Sequence, residues 1–303
     1  MKKFSKIPII KRIRHDLAYV LIRAVIGYFR LMPRKMALAT GSAFGKVAPL
    51  FARTDYRRSI EHLTIAYGKE KSEAEIHALA RMVFVHVAWN FIDLARIATM
   101  SEDDIKALII PHNIDSVKDT LKEGRGILAL TSHTGCWELL GSYLAAVGIP
   151  IAVISTQLYD PRLEALLLAS RKHGGMKNIS RGQNTREIIK AIRDGWLVGI
   201  LIDQDTKVKG VFVEFFGKKA HTALSPALLT LKYNVPIVPI MTYRDENHNH
   251  HAVAGKAIEI IESGDREKDM EAIITSCSKV TEDFIREHPE QWVWFHRRWK
   301  KHQ

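Results

Sequence analysis

Gly126-Ile127-Leu128-Ala129-Leu130-Thr131-Ser132-His133-Thr134-Gly135-Cys136-Trp137-Glu138-Leu139-Leu140 is the stretch on which the reading of the fold turns. Ile127 to Leu130 form an apolar run with no alternation, which predicts a strand buried on both faces, as in a parallel sheet. A polar turn around Gly135 ends it. Apolar residues then return at helical spacing through Leu139, Leu140, Tyr143, Leu144 and Val147, with a stop at Gly148 and Pro150. His133 and Glu138 therefore sit at the carboxyl end of a parallel strand, the edge where open α/β sheets bind ligands.

Working outward, the same alternation of strand and helix continues. Asp115–Leu121 reads as a helix before the strand. Pro150–Ser155 reads as a second strand, Pro161–Lys172 and Thr185–Arg193 as helices, and Trp196–Ile202 as a third strand ending at Asp203-Gln204-Asp205. Val211–Phe216 is an apolar run closed by Gly217. Helix Leu224–Tyr233 leads to Val235–Thr242, whose Pro236 and Pro239 predict an edge strand or a bulge. His248, Asn249, His250 and His251 fall in a polar turn, read as a solvated hairpin loop, with a metal site as the rival. Asp269–His288 is the last long helix.

Upstream the pattern is helical. Ser72 and Glu75 form a capping box that opens a helix running through Ile76 and Trp89 and on past Leu94. The division is thus a helical N-terminal region, 1–105, carrying an interfacial or membrane helix, followed by an α/β core, 106–303, with a mostly parallel sheet flanked by helices.

A chain of 303 residues with 47% hydrophobic content can bury a large core, and disorder is excluded by composition. Two cysteines, Cys136 and Cys277, make no disulfide framework and point to a reducing compartment. The net charge of +12 calls for an acidic partner. Residues 1–35 hold ten basic side chains against the single acid Asp16, threaded by the apolar stretch Leu17–Leu31. Fifteen residues with two arginines are short for a span of about 20 apolar residues. No small-residue cleavage pattern of a secretory signal follows. Basic and aromatic borders suit a helix lying in an anionic bilayer surface, and this favours a membrane over nucleic acid; packing on the protein's own core is the alternative.

The chemistry concentrates at His133 and Glu138. Chain reversal after the strand can bring the carboxylate to Nδ1 of the ring, leaving Nε2 free to take a substrate proton. Cys136 activated by His133 is a rival nucleophile, though it lies at a helix onset beside bulky Trp137. A metal site lacks any HExxH or CxxC element, and no cofactor is called for.

Gly124–Gly141 resembles the HxxxxE block of the bacterial lipid A biosynthesis acyltransferases, within the wider glycerol-phosphate acyltransferase-like superfamily. Asp203-Gln204-Asp205 with Val211–Gly217 and Ala220–Thr222 resembles that family's second block. Val235–Pro239 resembles its proline-bearing strand, and Pro289–Lys300 its C-terminal signature. The resemblance implies transfer of a fatty acyl group from an acyl carrier protein thioester to a hydroxyl of a glycolipid acceptor, a lipid A precursor, on the cytoplasmic face of a bacterial inner membrane. It implies His133 as the base and Glu138 as its orienting partner, with no covalent intermediate. Arg171 matches a family arginine placed to meet phosphate or developing negative charge, with Arg181 a second candidate. Asp205, Phe216 and Gly217 fall in the second block and Arg297 in the C-terminal signature; these are its substrate-binding candidates, with Phe212, Phe215 and Phe216 as possible acyl-chain walls and Arg298 beside Arg297. The chain departs from the family pattern at Thr134, Cys136, Lys207 and Glu214, which leaves acceptor and chain length open. Sister acyltransferases acting on a mannosylated phosphoinositide or another lipid, an acyl-thioester hydrolase, and a silent membrane scaffold are the alternatives.

Overall fold

Helix is the natural state of the first hundred residues, because apolar side chains recur there at three- and four-residue spacing with few breakers. The computed structural model describes residues 9–182 and 185–299, with side chains from Ile13 onward; Lys2, Lys3, Lys6 and Lys300 lie outside it. Helices α1 (Ile9–Leu31), α2 (Arg34–Phe51), α3 (Arg53–Tyr67), α4 (Glu73–Ile97) and α5 (Glu102–Ala107) come first. The capping box at Ser72 is present: its side chain accepts from the Glu75 backbone, and the Glu75 carboxylate reaches back to the Ser72 N–H at 2.8 Å.

The core then alternates β1 (Ile109–His112), α6 (Ile114–Lys122), β2 (Ile127–Thr131), α7 (Trp137–Ala146), β3 (Ile151–Ser155), α8 (Pro161–His173), β4 (Lys177–Ser180), α9 (Thr185–Arg193) and β5 (Leu197–Leu201). A hairpin of β6 (Gly210–Phe215) and β7 (Lys218–Ala223) follows, then α10 (Ser225–Tyr233), β8 (Ile237–Arg244), β9 (His250–Ala254) and α11 (Arg266–Glu287). Seven strands make one sheet in the order β1-β9-β8-β2-β5-β3-β4, parallel except for the β8–β9 hairpin. The α/β class and the mostly parallel sheet flanked by helices are as the sequence indicated.

β2 explains the buried apolar run. Ile127 and Ala129 face the layer of α5, α6 and α7, while Leu128 and Leu130 face α9, α10 and α11. Period-two alternation with both faces covered needs apolar residues throughout.

Two sequence expectations are corrected here. β8 is no edge strand: it lies between β2 and β9. It pairs with β2 over Ile237–Pro239 and with β9 over Ile240–Arg244, so Pro239, which has no N–H, stands where the pairing changes sides. Its carbonyl still accepts from Gly255 at 2.8 Å. The His248–His251 segment is not a solvated loop. His250 is fully buried against Asp93, and the His251 ring stacks between those of His112 and Tyr243.

α4 ties the N-terminal helices to the sheet. Asp93, with no exposure, receives a two-pronged hydrogen bond from Arg34 (2.9 and 3.0 Å), sits 2.8 Å from the Arg244 guanidinium and bonds His250 at 2.9 Å. Among the described residues α4 is the one helix long and apolar enough to cross a membrane, and half of its most apolar window is buried inside the protein. α1 and α2 expose a different set: Ile13, Leu17, Val20, Leu21, Tyr28 and Leu31 on the first, Met36, Phe44, Val47, Leu50 and Phe51 on the second.

Candidate active site

Register places the central residues. β2 and β5 are neighbours, with Thr131 opposite Leu201, so the second residue beyond each strand is His133 on one and Asp203 on the other. Asp203 is buried and takes three hydrogen bonds: from the His133 backbone N–H (2.7 Å), from His133 Nδ1 (2.8 Å) and from Trp292 Nε1 (2.7 Å). Burial alone would raise its carboxyl, but the charge of His133 and these donors outweigh burial and hold it at about 2. An ionised carboxylate can only accept, so Nδ1 carries a proton, and in the neutral form of the ring the lone pair falls on Nε2. The ring is 22% exposed and meets Trp137 edge-on at 4.8 Å.

The turn that carries His133 is pinned on every side. Gly135 adopts φ +56°, and a Cβ there would meet the Thr242 carbonyl at 2.6 Å, so only glycine fits. Asn90 of α4 donates to the Gly135 carbonyl at 2.7 Å. Thr134 accepts from Ser132 at 2.8 Å and bridges the backbone of Trp292. Thr134 thus has a structural task in this loop.

Glu138 is not the partner of His133, as local spacing suggested. It lies in the first turn of α7 and takes the Arg171 fork from α8, with Nε to Oε2 at 3.0 Å and Nη2 to Oε1. Arg171 also donates to Asn178, which is held by Ser155 at 2.9 Å. Its planar fork is therefore given to Glu138 and Asn178 in this structure.

His133, Trp137, Glu138, Arg171, Arg181 and Thr206 line one cleft of about 430 Å³ whose deeper wall is apolar. Arg181, exposed at its rim, donates to Thr206 at 3.1 Å. The other sequence candidates lie elsewhere. Asp205 faces a second cleft and contacts His221 at 3.2 Å. Phe216 and Gly217 form the turn of the β6–β7 hairpin, with the Phe216 ring buried against Tyr67 and Trp294. Phe215 is in that aromatic core too, and Phe212 is exposed. Arg297 is exposed, whereas Arg298 is buried and donates to the His221 carbonyl and to Thr222 Oγ1.

Cys136 is in the core, and burial pushes its thiol up to about 12, which removes it as a nucleophile. Sequence reasoning missed Asp203 as the partner and Trp292 as its third donor. Asp203 ends a predicted strand just as His133 does, and that shared position was the available signal.

A family model described as bacterial lipid A biosynthesis acyltransferase matches residues 4–301. The chain is 21% identical over 252 residues to "Lipid A biosynthesis acyltransferase 2" of Shigella flexneri, covering 82% of this chain and 79% of that one. It is 22% identical over 216 residues to "Phosphatidylinositol mannoside acyltransferase" of Mycolicibacterium smegmatis (strain ATCC 700084 / mc(2)155), covering 70% of each.

Proposed function

The chain belongs to the bacterial lipid A biosynthesis acyltransferase family and is an acyltransferase, and on that premise we propose that it moves a fatty acyl group from an acyl carrier protein thioester to a hydroxyl of a lipid A precursor. The observation that carries this reading is the His133–Asp203 pair, whose free Nε2 opens into a cleft with an apolar depth.

In this mechanism the acceptor hydroxyl gives its proton to His133 Nε2 while its oxygen attacks the thioester carbonyl. Collapse of the tetrahedral intermediate breaks the C–S bond, and the departing thiolate takes the proton back from the imidazolium. Asp203 fixes the tautomer and stabilises the imidazolium, worth roughly 10²–10⁴-fold for general-base help of this kind. Leu140, Leu144, Val153, Met176 and Ile240 of the cleft wall offer the acyl chain an apolar bed. The buried Glu138–Arg171 pair braces the wall between α7 and α8.

The exposed apolar faces of α1 and α2, bordered by Arg14, Arg23, Lys35 and Lys46, favour docking on the anionic cytoplasmic face of the inner membrane. There the positive charge serves anionic lipid and acidic carrier protein together. A second acceptor class, a mannosylated phosphoinositide, is favoured by the near-equal similarity to a relative named for that substrate.

The test is incubation of the purified protein with acyl carrier thioester, with and without tetra-acylated lipid A precursor, following product mass. Carrier-dependent gain of one acyl chain on the lipid is expected. Fatty acid released as fast without acceptor would overturn the reading in favour of a hydrolase. Protein that stays in the supernatant with anionic vesicles at low salt would overturn the membrane assignment.

A further inference from the structure

Between β3 and α8, residues 156–160 hold two apolar side chains out in solvent: Leu158 is 42% exposed and Tyr159 67%. Neither sits in a slack segment. The Leu158 N–H donates to the buried Glu164 carboxylate at 2.8 Å, and Asp160 caps α8 by accepting from the Arg162 N–H at 2.9 Å. The loop is pinned by its polar groups while its apolar side chains stay outside the core.

α1 runs beside this loop and is tied to it. Arg162 binds Asp16 of α1 at 2.6 Å, reaches the His15 carbonyl at 3.4 Å and covers the Tyr19 ring at 4.5 Å. The His15 and Tyr159 rings lie 5.3 Å apart. From the same stretch of α1, Ile13, Leu17, Val20 and Leu21 each stand more than half exposed. Their three- and four-residue spacing makes them one stripe, flanked by Arg14 and Arg23. Leu158 also belongs to the wall of the cleft that His133 and Trp137 line. One short loop thus joins that cleft to the apolar stripe.

We propose that residues 156–160 and α1 form an interfacial collar that seats the mouth of the cleft on an anionic bilayer, so that a lipid acceptor passes between membrane and His133 without entering water. Neighbouring exposed apolar side chains mark a contact surface, a tyrosine suits the headgroup layer, and the flanking arginines match anionic lipid. The inference rests on the membrane docking of α1 and α2 and adds the cleft mouth to that contact.

Cys136 and Cys277 are both buried, so a surface cysteine can be labelled selectively. An environment-sensitive fluorophore is attached to Tyr159→Cys, to Leu17→Cys and to Glu271→Cys, the last at an exposed position of α11. Each protein is mixed at low salt with vesicles containing phosphatidylglycerol. The labels at 159 and 17 should shift to the blue and be quenched by brominated lipid, and the label at 271 should not respond. A label that enters the bilayer at 17 and stays in water at 159 overturns the collar and leaves the docking of α1 standing. Labels in water at both positions overturn the docking as well. A response at 271 as large as at 159 shows unspecific adsorption and also overturns the collar. Turnover gives an independent readout. Tyr159→Glu should raise apparent KM about tenfold for acceptor embedded in vesicles and keep a soluble short-chain acceptor within about twofold of wild type. Equal rises for both acceptors, or no rise for either, overturn the proposal. Wild-type protein that transfers no acyl group at all counts against the acyl-transfer reading, and the fluorophore result then decides the collar.

Discussion

Two carboxylates with no exposure, Asp93 and Asp203, each bond a histidine among the described residues, and they serve opposite ends. Asp93 is sealed: it, Arg244 and His250 have no side-chain exposure, and Arg34 closes the cluster from α2. Asp203 is equally buried, but its histidine is 22% exposed and opens to a cleft. A His–Asp contact is therefore no mark of catalysis by itself. Access to the second ring nitrogen makes the difference. At Asp93 two arginines compete for the carboxylate, and burial with the charge of Arg244 pushes the His250 imidazole down to about 4. His250 is a neutral strut joining β9 to α4.

The largest way to break the comparison is Asp93→Asn. It leaves the buried Arg244 guanidinium and the partly buried Arg34 without a counter-ion and should cost about 3–5 kcal/mol in urea unfolding. An unchanged midpoint would show that the cluster does not tie the helices to the sheet. Next is Glu138→Gln, which strands Arg171 in the cleft wall; a loss of about 2–3 kcal/mol is expected, less than at Asp93 because this pair keeps some exposure.

Acid titration separates the two His–Asp sites by window. His250 titrates near 6.5 when unfolded and at about 4 when folded. The unfolded chain binds its proton first, so the stability it contributes is whole above pH 6.5 and is lost between about 6.5 and 4. Asp203 shifts from 3.8 to about 2, so its contribution, roughly 2 kcal/mol, is lost only between those values. Urea midpoints measured against pH should fall through the upper window in the wild type and fall less steeply in His250→Gln. Equal slopes would contradict the assignment. The smallest effect is Cys136→Ser, with a rate within about twofold of wild type; loss of turnover in a folded variant would return the thiol to the mechanism.

Local physics was legible in the chain. The unalternating run Ile127–Leu130, the Ser72–Glu75 box and the amphipathic helix at Thr185–Arg193 each carry their own signal within a few residues. What escaped depends on partners distant in sequence. Glu138 is five residues from His133 and Asp203 is 70, yet β2–β5 pairing makes the distant one the neighbour. Pro239 looked like an edge residue because the change of strand partner that excuses it is not a local property. His250 looked solvated because its burial is supplied by α4, more than 150 residues earlier. The β4 strand and the Lys218–Ala223 arm of the hairpin were missed, since polar residues there mask the strand pattern. Of the candidate site, His133, Glu138, Arg171 and Arg181 share one cleft, while Asp205, Phe216, Gly217 and Arg297 lie outside it.

The central claim is that Asp203, and not Glu138, holds the proposed base. Single-turnover acyl transfer by Asp203→Asn, with folding checked by near-ultraviolet circular dichroism, tests it most directly. The account predicts a rate lower by roughly 10²–10⁴-fold in a folded protein, and a smaller loss in Glu138→Gln. A folded Asp203→Asn enzyme working at the wild-type rate would contradict it.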